Sequence, residues 1–291
     1  MPGVKTALGL IGDPVDHSLS PLIHHTLYAA EGREAVYLPI HVRRGELPTL
    51  LRAADMLSLA GFNATMPHKR DILPLLGSLD ESAARFESAN TMRRMPDGTY
   101  RGYTTDGPGL SRSLAEAGLG FRGRRVLILG AGGVSPTVAL TACFEGARAV
   151  AVLNRTPERA AHVAALAAAR GGLDCPHGPL DFDALPGLAR GYDLVVNTTP
   201  LGMRGFADMP RFDFLDALPQ GAAVVDLIYN PAETSLLRQA RARGIPAVGG
   251  LGMLAWQGFL AHEIWFGSLP EEAARRAVFE ALAQVWKEEQ P

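Results

Sequence analysis

Apolar positions recur along this chain at two different periods. In the first third, short apolar runs at residues 6–11, 35–40 and 60–65 have the length and side-chain content of buried strands. Residues 21–30 and 46–54 instead repeat their apolar positions at helical spacing. Strand–helix–strand order predicts βαβ units and a mainly parallel sheet. Residues 90–94 and 99–103 flank Pro96, Asp97 and Gly98. Pro presets φ there and Gly accepts positive φ, so a hairpin is expected, giving the sheet an antiparallel edge. A helix over 106–117 and a glycine-punctuated linker, 118–123, lead to the most hydrophobic strand, 125–129. From there helix 134–145, strand 149–153, helix 157–170, strands 194–197 and 223–227, helix 234–243 and strand 246–248 continue in the doubly wound manner. Residues 253–266 and 271–287 read as two closing helices.

Composition narrows the classes of function. With 291 residues, 47% hydrophobic and 20% charged, the chain suits a soluble protein of two medium domains. A net charge of -2 leaves no basic stripe, so nucleic acid is not an expected partner and an anionic ligand must be met by local groups. Cys143 and Cys175 lack neighbouring Cys or His at metal-ligand spacing and read as reduced thiols of a cytosolic protein. The first residues do not form a signal-peptide pattern, and no apolar run approaches the roughly 18 residues of a membrane span. The expected location is the cytoplasm. His17, His24, His25 and His68 do not put three ligands on one element, and His262-Glu263 lacks the second His of a zinc-protease helix. No metal is expected.

Two stretches carry chemistry. Gly130-Ala131-Gly132-Gly133-Val134-Ser135 follows an apolar strand and opens a helix, which is the context of a dinucleotide fingerprint. The first glycine makes the turn, the second admits a pyrophosphate, and small Ser135 permits close helix packing. The next strand ends in Asn154-Arg155-Thr156, with Arg159 beyond, where an NAD site would carry an acid. Guanidinium and hydroxyl groups match a 2'-phosphate, so NADP is the expected cofactor; a plain helix start at Thr156-Pro157 is compatible with that role. In the first domain, Ser18 and Ser20 lie past a strand end, where hydroxyls bind a carboxylate, although Ser20-Pro21 is also a sound N-cap pair. Thr65 and Lys69 sit at the carboxyl end of another strand, where αβ sheets bind ligands. Asp106 most simply caps a helix, and Asn90 starts a strand.

The runs His17-Ser-Leu-Ser-Pro21, Asn63-Ala-Thr-Met-Pro-His-Lys69, Asn90-Thr91, Thr105-Asp106, Gly130-Ala-Gly-Gly133, Asn154-Arg-Thr156, Asn197-Thr-Thr-Pro-Leu-Gly-Met203, Asp226-Leu-Ile-Tyr-Asn-Pro231 and Gly250-Leu-Gly-Met-Leu-Ala-Trp-Gln257 occur in this order. In that order the chain resembles the shikimate and quinate dehydrogenases over residues 8–266. The resemblance implies an α/β fold with an N-terminal αβ substrate domain over 1–105, a Rossmann-like NADP domain over 106–250, and C-terminal helices, 251–291, returning to the substrate domain. It further implies NADP-dependent reduction of a ring ketone on a small polyhydroxylated carboxylic acid. By similarity Ser18 and Ser20 hold the carboxylate, while Thr65, Asn90, Asp106, Tyr229 and Gln257 contact ring hydroxyls. Lys69 is the acid/base and Asp106 its partner. Gly130, Ala131, Gly132, Gly133, Val134, Asn154, Arg155, Thr156, Arg159, Leu227, Gly250 and Glu81 lie beside the nucleotide.

The chemistry agrees with those roles: hydride delivered to a ketone makes an alkoxide, which a nearby ammonium stabilises and protonates. The chain departs from the family pattern at Ala64, at Thr104, and at Glu87-Ser88-Ala89, where a Gly-Ala-Val-like run is common. The last departure bears on the backbone that aims Asn90, and so on the substrate. Shikimate is the first expectation, with quinate or an aminated analogue as alternatives. An NAD-using quinate oxidoreductase is disfavoured by Arg155 and Arg159. A metabolite-binding module without turnover is disfavoured by the joint presence of Lys69 and Asp106. A homodimer is left open.

Overall fold

The computed structural model describes residues 6–288; the first five residues, read above for a leader pattern, lie outside the described range. The chain begins β1 (Thr6–Gly12), α1 (Ser20–Ala30), β2 (Ala35–His41), α2 (Leu47–Met56), β3 (Gly61–Ala64), α3 (His68–Asp71), β4 (Ser78–Leu79), α4 (Glu81–Phe86), β5 (Thr91–Arg94) and β6 (Tyr100–Tyr103). It continues α5 (Asp106–Glu116), β7 (Arg125–Leu129), α6 (Ser135–Phe144), β8 (Ala149–Asn154), α7 (Pro157–Leu166), β9 (His177–Pro179), α8 (Leu185–Ala189) and β10 (Leu194–Asn197). The remainder is β11 (Ala223–Asp226), α9 (Ser235–Ala242), β12 (Ala247–Gly249), α10 (Gly250–Phe266) and α11 (Glu272–Glu288). Two compact units result, one of Met1–Asp106 with Ala255–Pro291 and one of Gly107–Leu254.

The first unit holds a sheet of order β2-β1-β3-β5-β6-β4. β1 pairs in parallel with β2 and β3, and β5 and β6 add the expected antiparallel hairpin. The turn is closed by Gly98 N–H donating to the Met95 carbonyl at 3.0 Å, with Gly98 at φ +85. Helix α11 packs on α1, so both ends of the chain build this unit. Trp265 donates its indole N–H to the Met92 carbonyl at 2.9 Å, and a Cβ at Gly61 would lie 2.4 Å from that indole nitrogen. The glycine is what lets α10 reach the strand.

On the inner side of α1, His24 is buried and stacks on Tyr37 with ring centroids 4.2 Å apart. Burial, reinforced by His262 and His25 and opposed by a hydrogen bond with Asn63, holds its pKa down from 6.5 to about 3. Between pH 6.5 and 3 the imidazole is neutral in the fold but charged in the unfolded chain, so its stabilisation is present above pH 6.5 and lost as pH falls toward 3. Each pH unit in that window costs about 1.4 kcal/mol per such site. Thermal unfolding followed across it should show a melting temperature that falls with pH, with a flatter dependence in His24→Phe. Parallel curves for the two proteins would count against His24 as the source.

The second unit holds a parallel sheet of order β12-β11-β10-β7-β8-β9. Its central strands β7, β10 and β11 are apolar except at their ends, at Arg125, Asn197 and Asp226, because both faces are covered. Val126 and Ile128 enter the core shared with α6 and α7, while Leu127 and Leu129 enter the one shared with α8 and α9.

Some expectations needed correction. The edge strands β4 and β9 and the short helices α3, α4 and α8 lack the length that makes a periodic pattern readable. Helix α7 passes into a π-helical turn over Ala167–Gly171 instead of continuing regularly to 170. Helix α10 begins three residues earlier than its apolar periodicity suggests, at Gly250. Ser20 is not the N-cap of α1: that place is taken by Leu19, whose side chain makes no cap, and the Ser20 N–H instead donates to the Ser18 hydroxyl at 3.2 Å. Asp106 opens α5, but its carboxylate oxygens accept from Asn90 and Lys69, so the simple cap reading fails.

Candidate active site

In the first unit the proposed residues gather at the carboxyl ends of β1 and β3 and at the start of β5. Ser18 donates to the Ser20 hydroxyl at 3.2 Å, making a half-buried hydroxyl pair. Beyond β3, Thr65 is half-buried, and its N–H donates to the Ile11 carbonyl at 2.9 Å, tying it back to β1. After Pro67 the chain makes the single turn α3, which projects Lys69 so that Nζ donates to Asp106 Oδ2 at 2.6 Å. The Lys69 side chain is 31% exposed and that of Asp106 5%. The ammonium therefore reaches an open face while its counter-ion is anchored inside. Asn90 donates to the other carboxylate oxygen, Oδ1, at 3.0 Å. Gln257 lies half-buried on α10.

The Asn90 backbone is well aimed despite Glu87. Glu87 ends α4 at φ 45 and ψ 46, the left-handed region in which glycine is at ease, which gives a physical reason for a small residue there. Glutamate bears the conformation, and the strand beyond is fixed by its own bonds: Asn90 N–H donates to the Tyr103 carbonyl and Ala89 N–H to the Lys69 carbonyl.

The second unit assembles the nucleotide candidates. Gly130 has φ +107, and a Cβ there would lie 2.7 Å from Thr198 Oγ1, so the first glycine of the loop is required. Gly132 and Gly133 are exposed, and a Cβ at Gly132 would meet only the Thr198 carbonyl at 3.8 Å, leaving the backbone open to a ligand. Ser135 is buried and shares a 2.8 Å hydrogen bond with Thr198. Asn154 braces the loop: Oδ1 accepts from Ala131 N–H at 3.0 Å, and Nδ2 donates to the Thr156 carbonyl at 2.9 Å. Arg155 and Arg159 are exposed beside it, and neither is in an ion pair among the described residues. Thr156 precedes α7 without a side-chain cap bond, so its hydroxyl is uncommitted by the helix start. Gly250 packs against the Leu227 backbone, where a Cβ would come within 2.2 Å of the Leu227 carbonyl.

Tyr229 is half-buried in this same unit, and burial raises its phenol pKa, which keeps the hydroxyl protonated. Glu81 is exposed in the first turn of α4, in the first unit. Thr198 was not singled out from the sequence, although it lies in the quoted Asn197-Thr-Thr run; its only signal was its place at the end of β10. Among the described residues no group of three or more His, Cys, Asp or Glu is placed to hold a metal ion, and no helix is long and apolar enough to cross a membrane.

A parallel nucleotide-type sheet and a lysine–carboxylate pair define an oxidoreductase-like architecture, and comparisons specify it. Residues 10–92 match the shikimate dehydrogenase substrate binding domain, residues 113–199 the shikimate / quinate 5-dehydrogenase model, and residues 250–279 the shikimate 5'-dehydrogenase C-terminal domain. The NADP(+) shikimate dehydrogenase of Moorella thermoacetica is 41% identical, covering 96% of this chain and 95% of that protein. Shikimate 5-dehydrogenase of Thermus thermophilus, solved in complex with NADP(H) and shikimate, is 34% identical with a TM-score of 0.80, covering 95% of this chain and 99% of that one. Quinate dehydrogenase of Corynebacterium glutamicum, solved in complex with NAD, is 31% identical with a TM-score of 0.85, covering 95% and 99%. The chain belongs to the shikimate dehydrogenase family.

Proposed function

We propose that this enzyme reversibly reduces 3-dehydroshikimate to shikimate with NADPH, as a cytoplasmic step of aromatic amino acid biosynthesis. The observation that carries this reading is the 2.6 Å Lys69–Asp106 pair, with the ammonium half-open and the carboxylate buried. The glycine loop and the Asn154–Thr156 strand end would hold a dinucleotide phosphate, and the bound cofactor would supply the hydride for the ketone carbon. Lys69 then gives its proton to the forming alkoxide, so a C–H and an O–H bond replace the C=O π bond. Asp106 holds the lysine in place and balances its charge throughout. Ser18 and Ser20 bind the carboxylate through hydroxyl donors, Thr65, Asn90, Tyr229 and Gln257 address the ring hydroxyls, and Leu227 and Gly250 flank the nucleotide. The test is NADPH oxidation with 3-dehydroshikimate, alongside kcat/KM for shikimate, quinate and aminoshikimate with both cofactors. A quinate preference would move the chain to the second branch of its family.

Two outcomes follow for the binding groups. Arg155→Ala should raise the KM for NADP, with a loss on the order of 1.5 to 3 kcal/mol from charge-assisted bonds to the 2'-phosphate, while use of NAD changes little. Equal kcat/KM for NADP and NAD in the unaltered enzyme would remove the basis for this assignment. Ser18→Ala combined with Ser20→Ala should raise the KM for the carboxylate substrate and leave NADP affinity unchanged. If the methyl ester binds the unaltered enzyme as tightly as the acid, the serines have another role.

A further inference from the structure

Asn90 can be traced backwards through a buried chain of hydrogen bonds whose direction is fixed by groups that can play only one part. The Thr105 backbone N–H is only a donor, and it lies 2.8 Å from Asn90 Oδ1, so Asn90 Nδ2 must face the Asp106 carboxylate, 3.0 Å away. The Asn90 backbone carbonyl is only an acceptor, and it lies 3.0 Å from Asn63 Nδ2. Asn63 Oδ1 therefore faces the Tyr37 phenol, which must donate to it, at 2.7 Å. Asn63 Nδ2 also donates to Thr91 Oγ1 at 2.9 Å, which leaves the Thr91 hydrogen for Asn90 Oδ1 at 3.1 Å. The donors run one way, from Tyr37 through Asn63, Thr91 and Asn90 to Asp106, which Lys69 meets from the other side. Tyr37 and Thr91 are fully buried and touch no solvent. His24 stacks against the Tyr37 ring, and the Ser20 side chain lies next to its phenol, so the chain starts beside the proposed carboxylate cradle.

We propose that Tyr37, Asn63 and Thr91 are positioning residues that aim the Asn90 amide at Asp106 and thereby hold the Lys69–Asp106 pair ready for proton transfer. This rests on the acid/base reading of that pair. Each bond in a one-way chain polarises the next, so the donor that finally meets the carboxylate is stronger than an isolated amide. Asn63, its amide fully engaged by protein groups, serves this chain rather than the substrate.

Thr91→Val keeps shape and burial but removes the middle hydroxyl. The expected result is a single-turnover NADPH oxidation rate lowered roughly tenfold, the scale of one broken bond in a buried network, with NADPH dissociation constant and substrate KM nearly unchanged. Thr91→Ser restores the hydroxyl and should recover the rate. Tyr37→Phe cuts the same chain at its start and should slow the same step, which keeps the test available if the valine variant fails to fold. An unaltered single-turnover rate with only a lower melting temperature would overturn the proposal, as would a serine variant as slow as the valine one. If instead Lys69→Ala retains its rate, the acid/base reading itself fails, independently of the relay.

Discussion

Replacing Lys69 by Ala is expected to lower kcat by roughly 10²- to 10⁴-fold, the usual scale for a positioned acid/base. The alkoxide formed at the ketone oxygen would lose both the nearby positive charge and the proton donor. NADP binding should survive, because the glycine loop and the Asn154–Arg159 stretch assigned to it lie on a separate folded unit. The measurement is single-turnover NADPH oxidation with saturating ketone, beside an NADPH titration. A rate within about threefold of the unaltered enzyme, with chemistry limiting, would end the proton-transfer role and make Tyr229 the next residue to test.

Asp106→Asn should be nearly as damaging, for a reason that the geometry makes specific. One carboxylate oxygen accepts from Asn90 Nδ2 and the other from Lys69 Nζ, so both neighbours are donors. An amide has one oxygen and one NH₂ group, and whichever way it turns, a donor faces a donor. The variant therefore loses the charge that balances Lys69 and also mispairs one buried contact, and kcat should fall by roughly 10² or more. A capping carboxylate alone would predict nearly unchanged turnover, since asparagine caps as well as aspartate. Steady-state and single-turnover rates at one pH separate the two.

The parts of this molecule that could be read from sequence are those with a repeating physical cause. The Val126–Leu129 strand announces itself because burial on both faces demands an unbroken apolar run, and the Pro96–Gly98 turn because its φ values demand those residues. Gly130 is legible for the same reason: its neighbour Thr198 leaves no room for a Cβ. Lys69 and Asp106, by contrast, lie 37 positions apart, and nothing in periodicity pairs them; the family resemblance suggested the pair, and the fold brings them to 2.6 Å. Tyr37 stayed silent, and Asn63 and Thr91, although they lie in the quoted runs, showed no positioning role, because each fits its strand as an ordinary residue. Their common property is the direction of their hydrogen bonds, which only three-dimensional placement reveals. Ser20 misled, since Ser before Pro signals a cap, and here the helix simply starts one residue early.

The first unit is built from segments that flank the second in sequence, and this bears on how the chain comes off the ribosome. Glu31 on α1 bonds to His262, 231 residues later, and α1 packs on α11, the last of the described helices. The uninterrupted unit Gly107–Leu254 has all its strands in hand as soon as its stretch is synthesised and can fold while translation proceeds. The segment that precedes it must wait, with the apolar side of α1 uncovered, until α11 emerges. A nascent chain halted with residues 107–254 clear of the ribosome but α11 not yet emerged should therefore present α1 to chaperones and proteases while that middle half is already protected, and a circular permutant that places α11 ahead of α1 would shorten that wait.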